Sequence, residues 1–192
     1  MSHSGTDILA TVESRYREHF EVEPARASVS FLGVDPIEIL RFDDHDRQHF
    51  ASLGMARYPM ADPQATIVDP STAPRAELMV SVSHAADDLW RQLAVLAAAP
   101  AIEGAVYQVG NRVDLGQPLC AGSRCTGGVL QPSGLQAIEV AGLASVQVLE
   151  LIPATATELA WARVHGTDAL VRRWRLAKTD TADLNRDAVE LE

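Results

Sequence analysis

The sequence predicts an α+β fold, a mixed and mainly antiparallel sheet of about six or seven strands with helices packed against it. Three observations lead there. Short apolar or alternating runs bounded by Gly and Pro recur from Ala27 to Ile152. Segments with apolar residues at helical spacing stand before, among and after those runs. At 192 residues, 47% hydrophobic and 22% charged, the chain is long enough to build one core and far from a disordered composition.

Taken in order, Thr6 is placed to cap a first helix whose Ile8, Leu9, Val12, Tyr16 and Phe20 share one face, and Pro24 ends it. ASVSFL (27–32) and IEILRF (37–42) read as a hairpin turning at Gly33 and Pro36. FASLGMARYPMA (50–61) contains no acid, histidine or cysteine. It reads as a strand running into a loop: Phe50, Leu53, Met55 and Tyr58 fill a sheet face, Gly54 permits close backbone approach, and Pro59 starts the loop. The segment from Asp62 to Pro74 is irregular, broken by Pro63, Pro70 and Pro74. RAELMVSVS (75–83) is again a strand.

DDLWRQLAVLAAA (87–99) is the clearest helix, with Leu89, Trp90, Leu93, Leu96 and Ala97 on its apolar face and Pro100 after it. GAVYQVG (104–110), GGVLQP (127–132), GLQAIEVAG (134–142) and ASVQVLELI (144–152) read as strands. The last is the most hydrophobic and is expected to be central, with Trp90 nearby, and Pro153 closes it. TATELAWARVHG (155–166) and TDALVRRWRLAK (167–178) are the final helices, each beginning at a threonine able to cap it. Residues 1–178 thus form a single domain. Residues 179–192, with five acids to one arginine, form an acidic C-terminal tail, either a solvated helix or a frayed end.

A formal net charge of −10 argues against a nucleic-acid ligand and favours a basic protein partner, although solubility is the simpler single cause of such a balance. Arginine outnumbers lysine fifteen to one, and Lys178 lies near the polar tail, a poor place for phosphate-loop or Schiff-base chemistry. No stretch is apolar enough to span a membrane. Two cysteines without a secretory signal fit a reducing compartment, so a cytoplasmic location is expected.

Three constellations invite chemistry. CAGSRC (120–125) has too few soft ligands for a metal and not the C-x-x-C spacing of a redox pair, so Cys120 and Cys125 read as ordinary strand and loop residues. RFDDHDRQHF (41–50) gathers Asp43, Asp44, His45, Asp46 and His49, but if the two histidines share a face the acids point elsewhere, and no third ligand is identifiable. A solvated acidic turn is the simpler reading. SVSH (81–84) lacks the frame of a nucleophile elbow, and His165, before Gly166, reads as a helix C-terminal histidine. Catalytic, cofactor and metal residues are therefore assigned as none.

FASLGMARYPM, followed by AELMVSV, a Trp-bearing helix, GNRV, VQVLELIP and HGTDALVRRW, resembles the suppressor of fused domain family in its short bacterial form, over Phe50 to Trp174. Gly54 and Met55 match that family's Gly-Met/Leu-Ser step, while Ala56 stands where Ser is usual. The resemblance implies protein binding. Animal members clamp an extended peptide between two domains, of which this chain resembles only the first, and bacterial members imply an immunity protein neutralising a cognate toxin domain. The expected function is therefore a non-enzymatic, immunity-type binding protein with a basic toxin domain as partner. The alternatives are a regulator that binds an endogenous peptide by strand addition and, more remotely, a metal-dependent hydrolase using His45, His49 and neighbouring acids. Monomer and dimer remain open. The expected recognition surface combines Asp43, Asp44 and Asp46 with Asp62 and Asp69 of the proline-broken loop.

Overall fold

The computed structural model describes residues 3–44, 46–61, 68–69 and 71–191. Seven strands form one sheet in the order β1-β2-β3-β4-β7-β6-β5. They are β1 (Ala25–Phe31), β2 (Val34–Asp43), β3 (Gln48–Leu53), β4 (Arg75–Val82), β5 (Arg112–Asp114), β6 (Cys125–Pro132) and β7 (Val146–Thr155). Every neighbouring pair is antiparallel except β4 with β7, where Arg75 faces Val146 and Met79 faces Glu150. The helices are α1 (His3–Phe20), α2 (Leu89–Glu103), α3 (Ala156–His165) and α4 (Thr167–Ala177).

The two-residue period of the strands divides the core between the sheet's faces. One face, with Ile37, Ile39, Phe50, Leu78, Val80, Leu149 and Leu151, is covered by Leu89, Leu93 and Ala97 of α2. The other receives α1, whose Ile8, Val12 and Tyr16 meet Leu40, Phe42, Leu53, Met79, Val146 and Val148. The same side holds α3 and α4, through Leu159, Leu170 and Trp174 on Val129 and Ala154. β4 is the middle strand and is buried along its whole length. β7 lies beside it as an interior strand, with Val146, Val148, Leu149 and Leu151 buried and Trp90 packed on the cluster that includes Leu149 and Leu151.

Several expectations are corrected. The first helix starts at His3, so Thr6 lies inside it. The hairpin turns at Leu32 and Gly33, and Pro36 belongs to β2 beside a register shift between Val29 and Phe31. Pro100 does not stop α2: the helix continues to Glu103, and the Tyr107 hydroxyl donates to the Leu96 carbonyl at 2.9 Å, the acceptor that Pro100 has no N–H to fill. With Tyr107 tied to the helix, residues 104–110 are not a strand; backbone bonding to β6 starts where Gly110 N–H donates to the Leu130 carbonyl at 2.7 Å, and β5 itself is Arg112–Asp114.

Residues 134–142 make a single bridge, Ile138 to Val146, and their apolar side chains Ile138 and Val140 pack beside α1 instead. β7 runs through Pro153 to Thr155, where Pro153 faces Gly128 of β6 and the pairing with β4 has already ended at Glu150, so no β4 acceptor is left waiting for an N–H. Residues 179–191 are neither a regular helix nor a frayed end. Ala182 and Leu184 are buried, and their carbonyls accept from Ser83 N–H at 3.0 Å and Arg124 N–H at 2.8 Å.

Candidate functional site

The segment 50–61 is an internal joint. β3 pairs with β4 only as far as Ala51 opposite Met79, and beyond that point side chains replace the ladder. The Ser52 hydroxyl accepts from Leu78 N–H at 2.9 Å and donates to Glu77 Oε2 at 2.5 Å. Glu77 Oε1 accepts from Gly54 N–H at 2.8 Å and Ala56 N–H at 3.0 Å. Arg75 donates to the carbonyls of Ala56 and Arg57, both at 2.8 Å. Gly54 has φ +126°, and a Cβ there would crowd the Pro36 carbonyl at 3.3 Å, so glycine is required.

Phe50 and Leu53 face opposite sides of the sheet, and Met55 and Ala56 are buried in a 3₁₀ turn. Tyr58 does not fill a sheet face: it is 54% exposed, and its hydroxyl donates to Asp35 at 2.7 Å. Glu77 is the residue that sequence reasoning missed, and its signal was a lone acid inside the otherwise apolar run AELMV.

The expected recognition residues are not brought together. Asp43, Asp44 and Asp46 are exposed at the β2–β3 turn and, with Arg47, Gln48, Ser83, His84 and Ala85, line an open depression of about 470 Å³. Asp43 is held by Gln48 at 2.9 Å and Arg41 at 3.2 Å. Asp69 is exposed in the loop before Arg75, its carboxylate kept below the ordinary range by the Ser71 hydroxyl and N–H. Because Gln48 faces Val82 across β3 and β4, the acidic turn lies at the far end of β4 from that loop, roughly 25 Å away along an eight-residue strand. Asp62 and His45 lie outside the described residues.

His49, Ser81 and Glu150 form a cross-strand chain that the sequence did not announce. Ser81 donates to Glu150 at 3.0 Å, and His49 Nδ1 stands 2.9 Å from the Ser81 oxygen. In the tautomer with the proton on Nδ1, His49 donates to Ser81 and Ser81 to Glu150, the reverse of the polarity that activates a nucleophile. Burial lowers the His49 pKa. Cys125 is buried and its thiol is pushed up to about 11 by desolvation. Among the described residues no group of three or more His, Cys, Asp or Glu side chains is placed to hold a metal ion. No helix among them is long and apolar enough to cross a membrane.

The accessible features are therefore surfaces. β1 is a sheet edge with exposed residues along it, and a groove of about 180 Å³ beside it is lined by Ala25, Ala27, Arg41, Asp87 and Trp90. At the other end of the molecule α4 stands between two clefts of about 600 Å³ each.

The family model described as suppressor of fused protein matches residues 33–187, and the chain belongs to that family. No curated protein matches it. Among solved structures it is similar to a suppressor of fused homolog from Neisseria gonorrhoeae, with a TM-score of 0.73 and 16% identity over 97% of this chain and 99% of that one. It is similar also to a structure described as the Sufu-Fu complex, with a TM-score of 0.67 and 13% identity over 97% of this chain and 91% of that one. For Drosophila Suppressor of Fused the TM-score is 0.65 at 13% identity, covering 97% of this chain and 51% of that one, so the chain spans about half of the Drosophila protein. At these identities the likeness is one of fold, the mixed seven-stranded sheet with its helices.

Proposed function

We propose that this member of the suppressor of fused family is a non-enzymatic protein-binding domain that receives an extended segment of its partner as an added strand along β1. The observation that carries this reading is the edge itself. Seven residues, Ala25–Phe31, pair with β2 on one side and with no strand on the other among the described residues. Long open edges are a liability unless they are used or blocked, and the register shift between Val29 and Phe31 confines the regular stretch to Ala25–Val29. The half-buried Trp90 beside it offers an apolar wall for alternate side chains of an incoming strand. A relative of this fold is described in a complex, Sufu-Fu, which supports a protein as the ligand class.

Hydrogen exchange tests the proposal. With a partner chosen from the neighbouring genes and bound to saturation, the amides of β1 that face away from β2 gain protection. Complex formation that leaves every β1 amide exchanging as in the free protein overturns strand addition.

A second reading, an immunity-type protein in the cytoplasm with a basic toxin domain as partner, is favoured by the exposure of Asp43, Asp44 and Asp46 together at one end of the sheet. In that reading the acids speed encounter and the partner is held beside β2 and β3. Co-expression with the product of an adjacent toxin-like gene checks it: rescue of growth is the supporting outcome, and continued toxicity despite soluble expression of both proteins rejects it.

A further inference from the structure

We infer that α4, with the clefts on its two flanks, is a second docking surface, and that its occupant is an acidic, apolar-punctuated segment of a partner protein. The inference does not rest on strand addition at β1. Residues 156–178 carry five cations, Arg163, Arg172, Arg173, Arg175 and Lys178, against two carboxylates, in a chain whose net charge is −10. One of those carboxylates, Glu158, is fully buried and committed to Arg186, so it offsets nothing at the surface.

Arg172, Arg175 and Lys178, which with Arg173 line the two clefts against Glu150 and Glu190, are exposed and make no ion pair among the described residues. Within the same patch Leu176 is 85% exposed, one turn from Arg172. Unpaired cations around an uncovered leucine match a ligand with acids around an apolar side chain.

The chain's own C-terminal segment already lies against α4, through apolar side chains and a main-chain carbonyl, its Asp187 carboxylate being paired with Arg124. Its residues Asp187, Val189, Glu190 and Leu191 alternate acids with apolar side chains, and Val189 and Leu191 pack on the cluster containing Leu170 and Trp174. The Glu190 carbonyl accepts from Arg173 at 3.2 Å, so an acidic segment already occupies part of one flank. The opposite cleft, lined by Gln131, Glu150, Trp174, Arg175, Lys178 and Thr181, has room for a further segment. A long polyanion such as nucleic acid suits the patch less, because the acidic remainder of the surface repels charge that extends beyond α4.

The probe is a labelled synthetic peptide with leucine at every third or fourth position and glutamate elsewhere, titrated by fluorescence anisotropy in parallel with a labelled single-stranded oligonucleotide. The expected result is saturable peptide binding that weakens about tenfold as salt is raised past physiological strength. The triple change Arg172→Glu, Arg175→Glu and Lys178→Glu should weaken it at least as much, and Leu176→Ser should do so with little change in the salt dependence. Arg91→Glu, on α2, serves as the charge control, with circular dichroism reporting the fold of each variant. No saturable binding, an equal loss in Arg91→Glu, or tighter binding of the oligonucleotide than of the peptide overturns the inference.

Discussion

Gly54 N–H donates to Glu77 Oε1 at 2.8 Å, so a glycine in a left-handed conformation and a fully buried carboxylate are halves of one joint. The acid is buried among main-chain donors. It supplies the acceptors that the β3–β4 ladder no longer offers beyond Ala51 and Met79.

The joint has a pH signature. Burial pushes the Glu77 carboxyl above its ordinary value of 4.5, against the pull of the Ser52 hydroxyl and the N–H groups around it. The folded state therefore holds the proton more tightly than the unfolded one. Its contribution is complete below that ordinary value and is lost as pH rises through the folded value. Glu77→Gln keeps an acceptor for Gly54 and Ala56 but puts an amide NH2 where Oε2 accepts from the Ser52 hydroxyl, so it should remove this pH dependence at a cost of about 1 kcal/mol at neutral pH. Glu77→Leu strands three buried donors and should cost about 3 kcal/mol or more. Urea unfolding across the acid range decides: equal losses for the two variants would contradict the assignment.

Glu158 behaves with the opposite sign. Burial alone would raise it, but Arg186, the N–H groups of Val189 and Thr155, and Trp174 Nε1 together hold it below the ordinary range. Its contribution is present above the unfolded pKa and is lost as pH falls through the folded one. Arg186 reaches it from the C-terminal segment at 2.7 and 2.8 Å. Arg186→Met should therefore cost about 3 to 5 kcal/mol by leaving a buried charge unpaired, and truncation after Lys178 should cost at least as much. Unchanged denaturation midpoints would restore the picture of a frayed end.

What was legible in the sequence was the periodic part. α2, β4, β7, α3 and α4 stand close to where apolar spacing put them, because each buries a face that tertiary packing reinforces. What was not legible depends on partners distant in sequence. GAVYQVG has strand composition, yet Tyr107 is claimed by Leu96, and GLQAIEVAG has an alternating pattern that serves α1 instead of a ladder. The acids of the C-terminal segment obscured Ala182, Leu184 and Arg186, whose positions depend on Ser83, Arg124 and Glu158. For recognition, charge located the acidic turn but could not place Asp69 at the other end of the sheet, nor weigh the cations of α4 apart from the total.

Close packing at the second sheet edge gives a sharper test. A Cβ on Gly127 would stand 1.9 Å from the Val113 carbonyl oxygen, and one on Gly128 would stand 2.4 Å from that of Ile152. Both obstacles are backbone, which cannot rotate away. Gly127→Ala should dislodge the three-residue β5, read as loss of amide protection at Arg112–Asp114, whereas Gly128→Ala should cost about 2 kcal/mol or more by prising β6 from β7. Either variant melting with the parent and keeping its protection would show that the strands are spaced more loosely.

The acidic turn provides the last test, because it separates encounter from holding. Asp43, Asp44 and Asp46 are exposed, so their worth to a preformed complex is small, but together they bias the approach of a basic partner over about a Debye length. Changing all three to Asn should lower the association rate several-fold at low salt, narrow the gap as salt rises, and leave the dissociation rate nearly unchanged. In the Asp43→Asn change the side-chain amide keeps a carbonyl oxygen to which Gln48 can still donate, so the turn itself is expected to survive, as amide protection at Phe42 and His49 would verify. An association rate that is the same for parent and variant at every salt concentration would remove this end of the sheet from the recognition surface and leave β1 and α4 as the places to look.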